Sequence, residues 1–529
     1  MKNFKTYFII LFNTSLLIFL LSCQINHSSM KVRPFELNEI TIPELQKGYH
    51  DGTYTIREIV QLYLNRIEEI DQKGPQLNSI IMVNPDALEI ADVLDRELAE
   101  GKDRGPLHGI PVILKDNMDT HDKMPTTAGS RVLKDSYPLQ DSWVVKKLRE
   151  AGAVILAKAN LSEWANYRAD FSSSGWSGVG GQTKNPYVLD RNPCGSSSGS
   201  AVAVSANLCA VAVGTETWGS IMCPSNANGI VGIKPTVGLW SRSGIVPISY
   251  TQDTAGPMAR TVRDAAILLG IVTGVDSTDK KTWASKGYAF TDYLPFLKKD
   301  GLKGKRIGYL TTEEGTHFKV DTMMHRAVRF LKDQGAEVIE LDQIVEGRPY
   351  THSLEVLAYE FKDGLKKYFF RLGPNAPVTT LKEAIDATVA DSLEMLHFNV
   401  GVMENSQSKG SLEAKEYKKA LRKMLKAYRD DGIDKVMDKH QLDAIVAPTG
   451  GPAWKTDLIN GDHFVLSTSV YAALSGYPNI NVPMGFVGDL PVCLSFFGRA
   501  WSEPILLEIA YAYEQGTKYR KPPKFLVTD

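Results

Sequence analysis

The chain has 529 residues, of which 43% are hydrophobic and 23% are charged, and its formal net charge is −1. This composition is typical of a globular protein, and its 43 glycines and 26 prolines are too few to indicate disorder. Because nucleic-acid binding normally requires a basic face, the charge balance argues against a nucleic-acid partner.

The N-terminus has the pattern of a secretory signal. Lys2 and Lys5 precede an apolar run over residues 7–21, and the ending Leu20-Leu-Ser-Cys23 resembles a bacterial lipobox. We therefore expect residues 1–22 to be a lipoprotein-type signal peptide and residues 23–35 to be a lipidated Cys23 with its tether. This predicts an exported protein, lipid-anchored in the bacterial cell envelope. An uncleaved anchor is the alternative, although the run is short for a spanning helix of about 20 residues.

Helix and strand patterns alternate along the rest of the chain. Thr55-Ile-Arg-Glu58 is a capping box, and apolar residues recur at helical spacing as far as Ile70. Asp141 or Ser142 can cap a second helix, which an apolar run over residues 153–157 follows. Helix and then strand patterns recur at 200–208 and 210–213, and at 330–335 and 336–341. This order predicts an α/β fold with helices covering a largely buried sheet.

We expect one large domain over residues 36–525. Residues 342–439 differ from the rest of the chain because they are helix-prone and strongly charged. This favours a helical insert with a solvated face. A position of this insert on the substrate side is a hypothesis.

The cysteines and histidines indicate neither a disulfide scaffold nor a metal site. Cys194, Cys209, Cys223 and Cys493 are four cysteines in a long chain, and buried thiols are the preferred interpretation. The ten histidines are scattered, and no His-Glu-x-x-His or Cys-x-x-Cys occurs. We expect no metal and no cofactor.

Three glycine-rich segments carry the candidate chemistry. They contain Lys115 at the end of an apolar run, Ser196 in Cys194-Gly-Ser-Ser-Ser-Gly-Ser200, and Ser220 in Gly214-Thr-Glu-Thr-Trp-Gly-Ser220. Glycine permits close approach of the backbone, so such a loop can direct several N–H groups at one point, as an oxyanion hole requires. A serine nucleophile needs a base, and burial lowers the pKa of a lysine enough to supply a neutral amine. Taken alone, a pairing of Lys115 with Asp116 at a strand end is the simpler structural interpretation.

Together these segments resemble the amidase signature family over roughly residues 36–522. Further segments that carry the resemblance are Pro125–Ser130, Ala157–Trp164, Gly180–Pro186, Gly232–Gly238, Gln252–Arg260, Gly476–Gly485 and Leu494–Gly498. The resemblance implies a single α/β domain with a large mixed sheet covered by helices on both sides. It also implies Ser220 as nucleophile, Ser196 as a bridging serine held by a cis peptide, and Lys115 as base. The backbone N–H groups of Thr217, Trp218, Gly219 and Ser220 match the oxyanion loop.

The expected activity is hydrolysis of a linear amide C–N bond through an acyl-enzyme on Ser220. Trp164, residues 172–177 and Glu216 are closest to the peptide-amidase-like branch, which cleaves C-terminal peptide amides. A fatty-acyl or aryl amide is the alternative substrate, whereas amide transfer on transfer RNA fits poorly with an exported chain. Trp218 and Met222 depart from the family pattern, and Trp218 is a candidate substrate-binding residue because it flanks the oxyanion loop.

Three other hypotheses remain. Gly195-Ser-Ser-Ser-Gly199 also fits a nucleophile elbow with Ser197 as nucleophile, which requires a histidine from elsewhere in the chain. Two Ser-x-x-Lys matches, at 277–280 and 406–409, lie in polar stretches and are interpreted as coincidence. A lipid-anchored protein that binds amides or peptides, with catalysis impaired by Trp218, is the non-enzymatic alternative.

Overall fold

The computed structural model describes residues 28–30, 32–347 and 349–528. Residues 1–22, the predicted signal peptide, and Cys23 lie outside the described residues. None of the helices in the described part of the chain is long and apolar enough to cross a membrane.

Eleven strands of the described chain form one mixed sheet, and short strands form two small two-stranded sheets. In chain order the strands are β1 (Ser28–Ser29), β2 (Ile80–Val83), β3 (Pro111–Lys115), β4 (Val154–Ala159), β5 (Trp176–Ser177), β6 (Gly181–Gln182), β7 (Val211–Glu216), β8 (Val231–Lys234), β9 (Thr254–Ala259), β10 (Arg306–Leu310), β11 (Glu337–Leu341), β12 (Ala444–Pro448), β13 (Asn479–Val487), β14 (Leu490–Phe497) and β15 (Leu526–Val527).

The large sheet has the strand order β11-β10-β12-β14-β13-β8-β9-β7-β3-β4-β2. Strand β3 runs parallel to both of its neighbours, β4 and β7, so the carboxyl ends of these three strands lie at one edge. Antiparallel pairs from β12 through β14, β13, β8 and β9 to β7 make the sheet mixed.

Helices flank this sheet. They are α1 (Ile42–His50), α2 (Ile56–Arg66), α3 (Ala87–Ala99), α4 (Trp143–Glu150), α5 (Ser198–Ser205), α6 (Met222–Ala227), α7 (Val262–Val272), α8 (Phe318–Asp333), α9 (Thr351–Leu372), α10 (Leu381–Ala390), α11 (Gly401–Gln407), α12 (Lys415–Leu425), α13 (Lys435–His440), α14 (Val470–Ser475) and α15 (Glu503–Thr517). Every residue of β3, β4 and β7 is buried, so both faces of the central sheet are covered. The predicted single α/β domain with a mixed sheet between helices is confirmed.

Most local predictions agree with these elements to within a few residues, but helix α8 begins at Phe318, well before the helix segment predicted at 330–335. Thr55 and Glu58 form the predicted capping box of α2, and Ser142, not Asp141, caps α4. Strand β7 extends beyond the predicted Val213 to Glu216 because it pairs along its whole length with β9. Between β11 and β12, which enclose the predicted insert at 342–439, the described residues form only helices, chiefly α9–α13, and their connecting loops.

Candidate active site

Lys115 ends strand β3 and is fully buried. Its Nζ atom lies 2.7 Å from Ser196 Oγ, 3.1 Å from Ser197 Oγ and 2.8 Å from Thr215 Oγ1. Thr215 is within reach because β7 is the parallel neighbour of β3. Burial lowers the pKa of Lys115 to about 7, although the negative charges of Asp253 and Glu216 act in the opposite direction. The amine is therefore substantially neutral near pH 7.

Lys115 does not pair with Asp116. The Asp116 carboxylate instead lies 3.4 Å from Lys158 Nζ and accepts a hydrogen bond from the Thr127 hydroxyl. Among the described residues, the Lys115 amine hydrogen-bonds only to hydroxyl and carbonyl oxygens. The simpler interpretation of Lys115 as half of a structural ion pair is wrong.

Ser196 follows a cis peptide bond with Gly195 and is fully buried. Its carbonyl oxygen accepts a hydrogen bond of 3.1 Å from the Ser162 N–H, which holds the segment against the loop after β4. A side chain at position 195 would place its Cβ atom 2.2 Å from Ser162 Oγ, so any residue other than glycine would have to displace the Ser162 side chain. This packing holds the Ser196 hydroxyl beside Lys115.

Ser197 belongs to the same network but has no histidine partner among the described residues. Its hydroxyl donates to the Thr215 carbonyl at 2.9 Å and accepts from the Thr215 N–H at 3.1 Å. A fully buried hydroxyl with these partners does not have the geometry of an exposed nucleophile elbow. The elbow hypothesis therefore finds no support in the site.

Ser220 lies in the loop between β7 and α6, and 8% of its surface is exposed. Its carbonyl accepts a hydrogen bond of 3.1 Å from the Ser197 N–H, which joins the two serine segments. Gly219 has a φ of 84°, a left-handed conformation that glycine adopts without a steric penalty. Lys115, Ser196 and Ser220, which the sequence places in three separate segments, are thus gathered in one region.

Two carboxylates hold the loop that ends in Ser220. Glu216 accepts hydrogen bonds from the N–H groups of Ile221 and Met222 at 2.8 and 3.0 Å, and Asp253 accepts one from the Thr217 hydroxyl at 2.6 Å. The backbone N–H groups of Thr217, Trp218 and Ser220 donate to no acceptor within the part of the chain that the structure describes. The Gly219 N–H group differs, because it interacts with the Glu216 carboxylate. Three of the four predicted oxyanion donors therefore have no acceptor among the described residues.

Ser220 faces a cavity of about 800 Å³. Its walls come from the loop before β5, the loop of Ser220, helix α9 and the chain before α14, and most of them are apolar. Trp218 is half-buried in this wall and packs against the apolar cluster around Tyr359 and Tyr471. Helix α9 lies within residues 342–439, so part of the predicted insert lines the cavity.

A disulfide bond joins Cys194 to Cys223 beside the site. The preferred interpretation of these two cysteines as free thiols is wrong, because the folded chain brings the segment before Ser196 next to the segment after Ser220. Cys209 and Cys493 are free and buried, as expected.

Sequence reasoning missed Thr215 and Asp253 as members of the site. Both belong to segments that carried the family resemblance, Gly214–Ser220 and Gln252–Arg260. Their roles depend on which strands are neighbours. Thr215 lies on β7, and Asp253 immediately precedes β9, the antiparallel partner of β7.

The chain is similar to known proteins over most of its length. The model of the Amidase family matches residues 58–507. The chain is 42% identical to a probable amidase of Arabidopsis thaliana over 93% of each chain, and 35% identical to a putative amidase of Arthroderma benhamiae over 90% of this chain and 81% of that protein. It superposes on the native peptide amidase of Stenotrophomonas maltophilia with a TM-score of 0.90 and 46% identity, covering 93% of this chain and 100% of that one. The chain belongs to the amidase signature family of amide hydrolases.

Proposed function

We propose that this protein hydrolyses a carboxylic amide to an acid and ammonia or an amine, with Ser220 as nucleophile, Ser196 as proton relay and Lys115 as base. The observation that carries the proposal is the 2.7 Å approach of the buried Lys115 amine to the Ser196 hydroxyl. A pKa near 7 leaves that amine able to accept a proton at neutral pH.

In the first half of the reaction, Ser220 Oγ forms a bond to the amide carbon. The Ser220 proton passes to Ser196 Oγ while the Ser196 proton passes to Lys115 Nζ. The negative charge that develops on the amide oxygen is stabilised by the free N–H groups of the 217–220 loop. When the C–N bond breaks, the proton returns through Ser196 to the leaving nitrogen, and an acyl-enzyme remains.

In the second half, water replaces the amine. The water proton passes through Ser196 to Lys115, the hydroxide oxygen bonds to the acyl carbon, and the proton then returns to Ser220 as the acid departs. One proton is taken up and given back in each half, so the enzyme ends in its starting state.

We propose the C-terminal amide of a peptide as the substrate. The similarity to a peptide amidase supports this choice, and so does the charge of the cavity. Among its described lining residues, Asp170 and Asp462 are acidic and none is lysine, arginine or histidine. A lining of this charge accepts a neutral amide more readily than a carboxylate, which favours the amidated peptide over its acid and favours release of the product.

The proposal is tested by labelling with a fluorophosphonate, followed by peptide mapping. We expect the label on Ser220, and we expect Ser220→Ala to lose the label together with activity by about 10³-fold or more. Ser172→Ala, which changes another serine of the cavity wall, is the matched control and should keep the label. Labelling at Ser197 would support the elbow mechanism, and a folded protein that takes no label would support the amide-binding alternative.

The choice among acyl groups needs a separate measurement. Amidated peptides, long-chain fatty amides and aryl amides can be compared by kcat/KM with the same enzyme preparation. A preference for either of the last two classes would contradict the peptide-amide substrate while leaving the Ser220 mechanism intact.

A further inference from the structure

Two aromatic rings face the substrate cavity from different parts of the chain. The Trp218 indole comes from the loop of Ser220, and the Tyr350 ring comes from the residue before helix α9. Their ring centroids are 6.1 Å apart with an interplanar angle of 39°, which is within the range of favourable aromatic pairs. Tyr350 keeps 48% of its surface exposed, so this ring is available to a ligand.

The backbone that carries the Tyr350 ring is well anchored. The Tyr350 carbonyl accepts hydrogen bonds from the N–H groups of Ser353 and Leu354 at 2.9 and 3.2 Å, which makes Tyr350 part of the first turn of α9. Helix α9 is in turn tied to the sheet side of the site by the Ser353 hydroxyl, which donates to Gln252 at 2.9 Å.

A buried carboxylate adds a second anchor for α9. Glu360 accepts hydrogen bonds from the hydroxyls of Ser249, Thr251 and Tyr417 at 2.5, 2.5 and 2.7 Å. Two anchors fix the position of helix α9, and the backbone of its first turn places the Tyr350 ring opposite Trp218 without a contribution from the substrate.

The surroundings of the two rings are apolar. Leu354 and Leu357, on the next turns of α9, line the same cavity, and so does Val470 at the start of α14. Hydrolysis of a primary amide expels ammonia, which has a single heavy atom. A cavity of about 800 Å³ therefore serves the acyl part of the substrate and not the leaving group.

We propose that Tyr350 and Trp218 form an aromatic subsite for the side chain of the residue whose amide is cleaved. Substrates with a large, apolar C-terminal side chain are then preferred over small or acidic ones. This inference rests on the proposed function, because it assumes that an acyl group is attached to Ser220.

The test compares kcat/KM for the amides of N-acetyl-phenylalanine, N-acetyl-alanine and N-acetyl-glutamate. The wild type should prefer the phenylalanine amide to the alanine amide by roughly 10–200-fold, and the glutamate amide should be the poorest substrate. Tyr350→Ala should lower the Phe/Ala ratio about tenfold, mainly through a higher KM for the phenylalanine amide. Tyr350→Phe should restore the ratio, because the ring and not the hydroxyl makes the subsite.

Phe370→Ala is the matched control, because Phe370 lies on the same helix, is 88% exposed and is outside the cavity. It should leave the ratio unchanged. An unaltered Phe/Ala ratio in a folded Tyr350→Ala protein that still labels at Ser220 overturns the aromatic subsite alone. Absence of label at Ser220 in the wild type overturns the proposed function and this inference with it.

Discussion

The pKa of Lys115 is the residue-scale property on which the proposed chemistry depends. A lysine with an ordinary pKa near 10.4 is almost fully protonated at pH 7 and cannot accept a proton. Burial at the end of β3 disfavours the charged form and lowers the pKa to about 7. The residual attraction to Asp253 and Glu216 opposes this effect and keeps the value from falling further.

A pH profile tests this assignment. Because protonated Lys115 is inactive as a base, kcat/KM should fall as the pH drops below about 7 and should level off above it. Asp253→Asn removes a negative charge that raises the Lys115 pKa, so the midpoint of the profile should move to lower pH. A midpoint that Asp253→Asn leaves in place would contradict Lys115 as the titrating base.

Lys115→Ala should be nearly as inactive as Ser220→Ala at neutral pH, with partial recovery at alkaline pH.

At the scale of elements, the Cys194–Cys223 disulfide joins the two segments that carry Ser196 and Ser220. Cys194 immediately precedes the Gly195–Ser196 peptide, and Cys223 is the second residue of α6. The bond closes a loop between cysteines 29 positions apart, and this loop contains α5, β7 and the Ser220 loop. The disulfide therefore limits the conformations of the unfolded chain. In the folded protein it holds the segments of Ser196 and Ser220 next to each other.

Loss of this bond should destabilise the protein. The chain-entropy model gives about 3–4 kcal/mol for a loop of this size, as an upper figure. Reduction should lower the Tm of the wild type, whereas Cys223→Ala should start from a lower Tm and show no further response to reductant. Cys493→Ala, which removes a free thiol, is the control and should still respond to reductant. Equal Tm values for the oxidised and reduced wild type would show that the disulfide does not contribute to the stability of the fold.

At the scale of the whole molecule, the predicted lipid on Cys23 concerns where the protein resides, and we do not expect it to affect the amidase chemistry. We expect the full-length protein to sediment with membranes and to be released by detergent, and Cys23→Ser to remain in the supernatant with unchanged kcat/KM. Fractionation followed by an amidase assay of each fraction measures both outcomes. Membrane association that survives Cys23→Ser would favour the uncleaved anchor instead.

Some features of this protein were determined by the sequence alone because their signals are local. The capping box at Thr55, the apolar run of β4 and the glycine-rich segments each lie within about ten residues of chain. Lys115, Ser196 and Ser220 could be selected as candidate catalytic residues because the sequence motifs that contain them resemble those of one family. The structure gathers these segments into one site. The α/β class followed from the alternation of helix and strand patterns.

Other features were decided only by the tertiary structure, because they depend on which distant segments become neighbours. The strand order that brings Thr215 to Lys115, the pairing of Cys194 with Cys223, and the approach of Tyr350 to Trp218 are of this kind. The pKa of Lys115 belongs with them, because it depends on complete burial and on the distance to Asp253 and Glu216. Local patterns carry no information about such contacts, since these are selected by packing across the whole sheet.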